Sequence, residues 1–299
     1  MTAAQGFDGW MKQVQSTMED ALASFLPSQG ELPARLHEAM RYAALDGGKR
    51  VRPLLVHAAG SLFDADAGAL GRAAAAVEMI HAYSLVHDDM PCMDDDALRR
   101  GKATVHVKYD EATALLVGDS LQSQAFLVLS EGDSIADPTR KLAMVRLLAR
   151  ASGSLGMCGG QAIDLASVGL TLSLAELERM HRMKTGALLR ASVMLGALCG
   201  KFLSDSEEAA LDAYADAIGL AFQVVDDVLD ATADSATLGK TAGKDAADNK
   251  PTYVSILGLE QSRALAGKLR DDAYRALMPF GEKARRLREI ADLIVQRKA

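Results

Sequence analysis

Two short clusters of aspartates have the clearest chemical potential in this chain. Five of its 27 aspartates lie between Asp88 and Asp96. A second cluster, Asp226, Asp227 and Asp230, lies within the apolar run AFQVVDDVLDA. On a helix, Asp226 and Asp230 would share one face about one turn apart, because residues i and i+4 are neighbours there. Carboxylate oxygens at this separation suit hard divalent cations such as Mg²⁺.

The first cluster needs a bend in the chain if its carboxylates are to converge. Asp88 and Asp94 are six residues apart and would diverge by about 120° on a straight helix. Pro91 disturbs a helix interior, so we expect the chain to turn there and bring Asp94 back beside Asp88. Taken alone, this cluster also fits a solvated loop. The second cluster does not, because aspartates in an apolar helix need a cation to offset their desolvation.

Basic residues upstream of the first cluster predict anion binding. Lys49 and Arg52 lie three residues apart at a predicted helix start, and a helix N-terminus flanked by cations favours anions. His81 precedes Asp88 by seven residues, which places both on one helix face about 10 Å apart. Alone, His81 would fit an ordinary core histidine. Its alignment with Asp88 indicates instead a second anionic site beside a metal-dependent one.

Arg99 and Arg100 directly follow the first cluster. Neighbours in sequence are expected to point apart, so one guanidinium could serve each site, and its fork matches phosphate oxygens.

The whole chain carries a net charge of −7. This balance argues against a nucleic-acid partner, which normally needs a basic surface, but it does not exclude small anionic ligands.

Helical periodicity dominates the elements that must hold these residues. The chain has 299 residues, of which 49% are hydrophobic and 5% aromatic. Apolar residues recur at helical spacing, for example at Leu142, Val145 and Leu148, and strict alternation never persists. The pattern predicts an all-α protein of roughly ten or more helices, one of which starts at Pro138. Ala233–Pro251 is a long polar break, which we expect to be functional.

Nothing in the sequence divides the chain or indicates a membrane anchor. The other breaks are short, so residues 1–299 are predicted to form a single domain. The longest stretch without a charged residue, Ala151–Ile163, has 13 residues, too few for a membrane span. No secretory signal opens the chain, and its three cysteines form neither a disulfide nor a zinc pattern. A cytoplasmic location is therefore expected.

Several longer segments resemble the trans-isoprenyl diphosphate synthases, the head-to-tail prenyltransferases. They are GGKRVRP, EMIHAYSLVHDDMPCMDDDALRRGK, GDSLQSQAF, GGQAIDL, MKTGALL, FQVVDDVLD, LGKTAGKD and NKPTYVSILGLE. The resemblance covers nearly the whole chain. It implies an all-α isoprenoid-synthase helical bundle around a central cavity, a polyprenyl synthetase domain and a homodimer. It also implies three Mg²⁺ ions per active site, with Mn²⁺ able to substitute, that bridge both aspartate motifs and an allylic diphosphate.

The resemblance further implies roles for individual residues. The direct metal ligands would be Asp88, Asp94 and Asp226, with Asp89, Asp227 and Asp230 as supporting ligands. Isopentenyl diphosphate would be bound by Lys49, Arg52, His81 and Arg100. The allylic diphosphate would be held by Arg99, Lys184, Lys240 and Lys250. Thr185 and Gln223 would face the developing allylic cation, whereas Gln161 and Asp164 could be functional or structural.

The implied reaction joins isopentenyl diphosphate to dimethylallyl or geranyl diphosphate and gives a C15 product. Neutralising the leaving diphosphate allows the allylic C–O bond to break. The residues expected to do this are Asp88, Asp94, Arg99, Lys184, Asp226 and Lys240. Tyr83, with Ser84 beside it, is expected to form the floor that limits chain length, although it could be ordinary core. The open alternatives are a C20- or C10-forming synthase and a non-catalytic prenyltransferase subunit.

Overall fold

A computed structural model describes residues 6–232 and 251–297 of the chain. Helices make up nearly all of its regular structure, which confirms the predicted all-α class. Their bounds are α1 Phe7–Phe25, α2 Ala34–Ala44, α3 Val51–Gly60, α4 Ala67–Asp88, α5 Val105–Lys108, α6 Glu111–Ser130, α7 Pro138–Ser152, α8 Met157–Ala166, α9 Leu174–His181, α10 Ala187–Gly200, α11 Asp205–Thr232, α12 Tyr253–Leu257, α13 Leu259–Ala276 and α14 Arg285–Gln296. The described part also contains 3₁₀ turns at Ser61–Phe63 and Met278–Ala284, a π-helical turn at Arg182–Gly186, and the strands β1 Leu98–Arg99 and β2 Lys102–Ala103.

Local sequence explains where several helices begin. Asp66 caps α4 by accepting a hydrogen bond from the backbone amide three residues further on, at 3.0 Å. Asp137 caps α7, whose first turn contains Pro138, so the helix start predicted there is observed. Ser173 and Glu176 form a reciprocal capping box at the start of α9. Each side chain satisfies an amide that the first helical turn leaves unpaired.

The antiparallel hairpin after the first aspartate cluster was not predicted from the sequence. Its turn residues, Arg100 and Gly101, have φ angles of +53° and +76°, which is typical of tight two-residue hairpin turns. Arg99 pairs with Lys102 across the two strands. With two residues in each strand, the segment is too short to give a periodic pattern.

Two hydrophobic clusters form the core, and α4 and α11 lie at their centres. One cluster surrounds α4 with residues of α1, α2, α6 and α7. The other surrounds α11 with residues of α3, α13 and α14. Helix α10 contributes to both clusters. Buried residues occur on every side of α4, as expected of a helix inside a bundle. Both aspartate clusters therefore lie at the C-terminal ends of central helices.

Helix α6 has the length and apolar composition that would allow it to cross a membrane, and it is the one such helix within the described ranges. Core helices meet the same criterion, and α6 packs against α4 and α2. The predicted absence of a membrane span is therefore still a prediction.

Candidate active site

A cavity of about 800 Å³ lies between the C-terminal parts of α4 and α11. We call its two sides the α4 wall, which carries Asp88 and Asp94, and the α11 wall, which carries Asp226 and Asp227. The predicted site residues that line it are Arg52, His81, Tyr83, Ser84, Asp88, Asp94, Gln161, Asp164, Lys184, Thr185, Gln223, Asp226 and Asp227. The fold thus brings together residues that are up to 175 positions apart, from Arg52 to Asp227.

The α4 wall is shaped by a turn that follows the end of the helix. Helix α4 ends at Asp88, and the backbone amide of Asp94 donates to the carbonyl of Asp88 at 2.9 Å. The chain therefore bends around Pro91 as expected and returns Asp94 to the helix end. Burial raises the pKa of Asp88 to about 6; Lys184 lowers it, and Asp94 raises it further. A cation bound here would relieve both the desolvation and the repulsion between like charges.

Asp89 faces away from this cavity and binds Arg99. The Nε atom of Arg99 donates to both carboxylate oxygens of Asp89 at 2.8 Å. Arg99 and Arg100 both line a smaller cavity of about 240 Å³, whereas the sequence suggested that they point to separate sites. The hairpin places them together. A Cβ atom at Gly48, where φ is +86°, would lie 2.7 Å from Arg100 Nη2, so glycine is needed for this approach.

Arg52 and His81 both line the larger cavity, that of about 800 Å³. The Nε atom of Arg52 is buried without a hydrogen-bond partner among the described residues. Burial, partly offset by Glu78, lowers the pKa of Arg52 to about 10. Burial and the nearby Arg52 and Arg100 hold the pKa of His81 well below its usual value, so His81 is neutral. An incompletely paired guanidinium beside a neutral imidazole is suited to an anionic ligand.

The π-helical turn places Lys184 and Thr185 on the cavity. Such turns are frequent at functional sites, because the extra residue reorients the side chains around it. Lys184 Nζ forms an ion pair with Asp164 of α8. Asp164, whose role the sequence left open, therefore holds a lysine that faces the cavity. Gln161 lines the same cavity one turn earlier on α8.

The α11 wall is held by a chain of hydrogen bonds. Thr185 Oγ1 donates to Gln223 Oε1 at 3.3 Å, and Gln223 Nε2 donates to Asp227 Oδ1 at 3.1 Å. The backbone amide of Tyr253 donates to Asp227 Oδ2 at 2.8 Å. Both oxygens of Asp227 are thus committed to protein contacts. Asp230, one turn further along α11, is buried and does not line the cavity.

Arg297 is the site residue that sequence reasoning missed. Its Nη2 donates to Asp226 Oδ1 and to the carbonyl of Phe222, both at 2.7 Å. The guanidinium carbon lies 4.0 Å from the centre of the Phe222 ring. Burial and then Arg297 lower the pKa of Lys49, while Asp226 raises it, so Lys49 is close to this pair. In sequence alone, a single basic residue such as Arg297 gives little indication of a binding role. Its position beside Asp226 is seen only in the tertiary structure.

Two predicted residues, Lys240 and Lys250, lie outside the described residues, as does nearly all of the polar break in which they occur. At the end of this break, Pro251 and Thr252 line the cavity.

The donors around the cavity fit a divalent cation of the Mg²⁺ type. The acidic ligands are carboxylate oxygens, which hard cations prefer. On the α11 wall, Asp226 already binds the guanidinium group of Arg297, so this carboxylate is accessible to a cationic group. In residues 6–232 and 251–297, no three acidic, histidine or cysteine side chains form a ready metal centre. Mg²⁺ commonly completes its coordination with waters and with phosphate oxygens of a ligand.

An all-α bundle with two acidic walls on one cavity defines an isoprenyl diphosphate synthase fold, and comparisons with known proteins agree. Residues 33–288 match the family model described as polyprenyl synthetase. The chain belongs to the polyprenyl synthetase family. This confirms the resemblance found in the sequence.

Individual relatives are similar over most of their length. The farnesyl diphosphate synthase of Escherichia coli (strain K12) is 48% identical over 302 residues, which cover 99% of each chain. A probable farnesyl diphosphate synthase of Bradyrhizobium diazoefficiens is 51% identical over 284 residues, 94% of this chain and 85% of that protein. The crystal structure of an FPP/GFPP synthase from Zymomonas mobilis matches with a TM-score of 0.87 and 45% identity, covering 97% of this chain and 98% of the other.

Proposed function

We propose that this chain is a head-to-tail prenyltransferase that condenses isopentenyl diphosphate with dimethylallyl and geranyl diphosphate to give farnesyl diphosphate. The observation that carries the proposal is one cavity lined by Asp88 and Asp94 on one side and by Asp226 and Asp227 on the other. Membership of the polyprenyl synthetase family and the similarity to farnesyl diphosphate synthases support the same reaction.

In this proposal Asp88, Asp94 and Asp226 hold Mg²⁺, for which Mn²⁺ can substitute. When bound, the metal ions neutralise charge that develops on the leaving diphosphate. Asp89 and Asp227 act in support, because one positions Arg99 and the other ties α11 to the start of α12. Asp230 remains a predicted supporting ligand.

The cations of the chain would assist cleavage of the allylic C–O bond. Lys184, which lines the cavity, and Lys240 are proposed to bind the allylic diphosphate, joined by Lys250. Arg99 pairs with Asp89, and its contact with this diphosphate stays a prediction. The bonding electrons leave with the diphosphate oxygen, and the double bond of isopentenyl diphosphate then attacks the allylic carbon to form the new C–C bond. A proton is lost to the departing diphosphate. Preorganised cations are effective here, because they stabilise charge that appears only as the bond breaks.

The carbocation would lie against polar groups that carry no charge. Thr185 and Gln223 line the cavity and are hydrogen-bonded to each other, so their dipoles are held in place. Neither needs to act as a nucleophile. Their oxygens can stabilise a nearby positive charge without trapping it.

Isopentenyl diphosphate is proposed to bind near Arg52 and His81, with Lys49 and Arg100 completing the site. The buried Arg52 Nε without a hydrogen-bond partner among the described residues supports this assignment. An anion there would satisfy a donor that otherwise carries a desolvation cost.

Tyr83 is proposed to end the part of the cavity that accepts the growing chain, with Ser84 beside it. The two residues line the cavity on α4, and Tyr83 is only 5% exposed. Position 83 precedes Asp88 by five residues, or about 7.5 Å along the helix axis. A ring at this depth supports a C15 limit.

The homodimer, the single domain over residues 1–299 and the cytoplasmic location also stay proposals. Exposed Leu116 and Leu127 lie three turns apart on one face of α6, and exposed Leu142 lies on α7. This apolar surface suits a second copy of the chain. Light scattering coupled to size-exclusion chromatography would report the mass in solution.

The decisive test incubates the full-length protein with labelled isopentenyl diphosphate and each allylic primer, with and without Mg²⁺. Chromatography of the dephosphorylated products would give chain length. Mg²⁺-dependent formation of a C15 alcohol from both primers is expected. A C20 or C10 product would favour the alternative synthases, and no incorporation with any primer would leave the non-catalytic subunit.

The Tyr83→Ala variant tests the chain-length proposal. Removing the ring should deepen the cavity and lengthen the product beyond C15. A variant that still makes only C15 would contradict the assignment of Tyr83 as the floor.

A further inference from the structure

Cys158 of α8 contacts Tyr83 of α4, and both residues line the cavity. Helix α8 lines the cavity with Met157, Cys158, Gln161 and Leu165, a spacing that places them on one side of the helix. Cys158 Sγ lies 3.4 Å from Tyr83 Oη. Tyr83 is buried, whereas Cys158 is exposed. Both residues line the cavity at this depth, and the thiol is the more exposed of the two.

The position of Cys158 is set by the tight packing of α8 on the π-helical turn. A Cβ atom at Gly160 would lie 2.1 Å from the backbone nitrogen of Lys184, so glycine is required for the two backbones to approach. Asp164, on the same helix, binds the Lys184 side chain. These two contacts prevent α8 from sliding along the turn, and the thiol is accordingly held in a defined place.

The Tyr83 ring is restrained by further contacts. The ring of His87 packs edge-on against it with 5.8 Å between the ring centres. Burial and the contact with Cys158 raise the pKa of Tyr83, whereas a hydrogen bond from the Gln122 side chain lowers it. The Tyr83 hydroxyl therefore interacts with both the Cys158 thiol and the Gln122 side chain.

We propose that Cys158 is a second chain-length residue: its thiol closes the cavity on the α8 side and, through its hydrogen bond with the Tyr83 hydroxyl, holds the ring across the path of the growing chain. This inference rests on the proposed function. Cys158 is a positioning residue in this inference, because it acts on chain length partly through Tyr83. The limit on product length then depends on side chains from both α4 and α8.

Four variants separate the size of the thiol from its hydrogen bond. Cys158→Ala removes both and should raise the ratio of C20 to C15 product by about tenfold, a ratio that small differences in binding can produce. Cys158→Ser keeps an acceptor of similar size and should retain the wild-type ratio. Tyr83→Phe removes the hydroxyl that contacts the Cys158 thiol and should also raise the ratio of C20 to C15 product. Cys158→Leu fills the space and should shift the product toward C10.

Chain-length ratios would be measured for all variants and for the wild type under the same conditions. Cys199→Ala, which removes a buried thiol that does not line the cavity, is the matched control and should leave the ratio unchanged. Should Cys158→Ala fail to fold, Tyr83→Phe and Cys158→Leu still decide the matter, because they act in opposite directions.

The outcomes distinguish this inference from the proposed function. A wild type that forms no prenyl product overturns the function itself. A wild type that forms C15, with Cys158→Ala giving the same product ratio, overturns the role of Cys158 and leaves the function intact. Cys158→Ser lengthening the product as much as Cys158→Ala would overturn the hydrogen-bonded role.

Discussion

The α4 wall and the α11 wall both present aspartates to one cavity, yet they restrain them differently. On the α4 wall, Asp88 lies at a helix end where the chain turns back, and burial together with Asp94 raises its pKa to about 6. On the α11 wall, Asp226 and Asp227 lie within a continuous helix. Each accepts a hydrogen bond from the C-terminal part of the chain.

This contrast shows that aspartates in similar sequence contexts can have different roles. Asp88 carries a buried charge that a cation would relieve, which is consistent with its proposed role in ligand binding. Asp227 is satisfied on both oxygens by the protein, so its value lies in holding α11 and α12 together. The predictions below test this difference.

The largest expected effect is on Asp88→Asn, in which activity should fall while the free energy of unfolding rises. Asp88→Asn should reduce kcat by roughly 10³-fold, as loss of a group that stabilises transition-state charge does. It should also raise the free energy of unfolding by about 1 kcal/mol, because a poorly compensated charge is removed. Asp227→Asn should instead lower the free energy of unfolding by about 1–3 kcal/mol, because an amide cannot accept from both of its present donors.

Initial rates and urea unfolding would be measured on both variants. Asp20→Asn, on the exposed side of α1, is a control that should change neither quantity. If both variants were destabilised to the same extent, the two walls would not differ in the way described.

Acid should destabilise the protein through a buried histidine near each wall. Burial lowers the pKa of His181 to about 4, and it also lowers that of His81. The unfolded chain takes up these protons below about pH 6.5. The contribution of these histidines to the free energy of unfolding should therefore fall between pH 7 and 5, by up to about 2 kcal/mol for each histidine. Asp88, whose pKa is raised to about 6, takes up a proton in the folded state over the same range and partly offsets this loss.

His181→Gln tests the part of this effect that belongs to one residue. Asp164 and Lys184 face His181 with opposite charges, and they remain in the variant. Urea unfolding at pH 7 and pH 5 should show a smaller loss of stability than in the wild type. The same loss in both proteins would count against a neutral His181.

An intermediate effect is expected at the ion pair between α8 and the π-helical turn. Asp164→Asn should raise KM for the allylic diphosphate about tenfold, because Lys184 loses a charged hydrogen bond that orients it. The exposed pair of Arg190 and Asp212 offers a matched control, and Asp212→Asn should leave KM unchanged. An unaltered KM in Asp164→Asn would mean that Lys184 needs no such orientation.

The smallest effect is expected at the C-terminal end. Arg297 occupies Asp226 Oδ1, so Arg297→Gln should lower the Mg²⁺ concentration for half-maximal rate about threefold, the scale of a partly exposed ion pair. Calorimetric titration of Mg²⁺ in the presence of inorganic pyrophosphate gives a second readout. Arg285→Gln, on the exposed surface of α14, is the control. A higher Mg²⁺ requirement would show that Arg297 helps the site instead of competing for it.

Local patterns were enough to predict much of this molecule. Helical spacing gave the all-α class, and Pro138 marked the start of α7. Pro91 predicted the turn that returns Asp94 to Asp88, where their backbones are hydrogen-bonded at 2.9 Å. These features depend on residues that are close in sequence, so they can be inferred before folding is known.

Other features could not be read from the sequence. Within GGKRVRP, Arg50 is buried and binds Glu19 and Glu78, whereas its neighbour Arg52 lines the cavity. Both are arginines in one motif, and only the direction of each side chain separates a structural role from a binding role. The hairpin that places Arg99 and Arg100 on one small cavity was hidden for a similar reason, because it is too short to show a pattern.

By itself, the sequence determined the helices, the two groups of aspartates and the kind of cation and ligand they suit. Only the tertiary structure decided which of those aspartates remain available to a ligand, because their partners come from distant parts of the chain. Arg297 reaches Asp226 across 71 residues, and Tyr253 reaches Asp227 across 26. Contacts over such separations depend on how whole helices pack, and no local pattern encodes that packing.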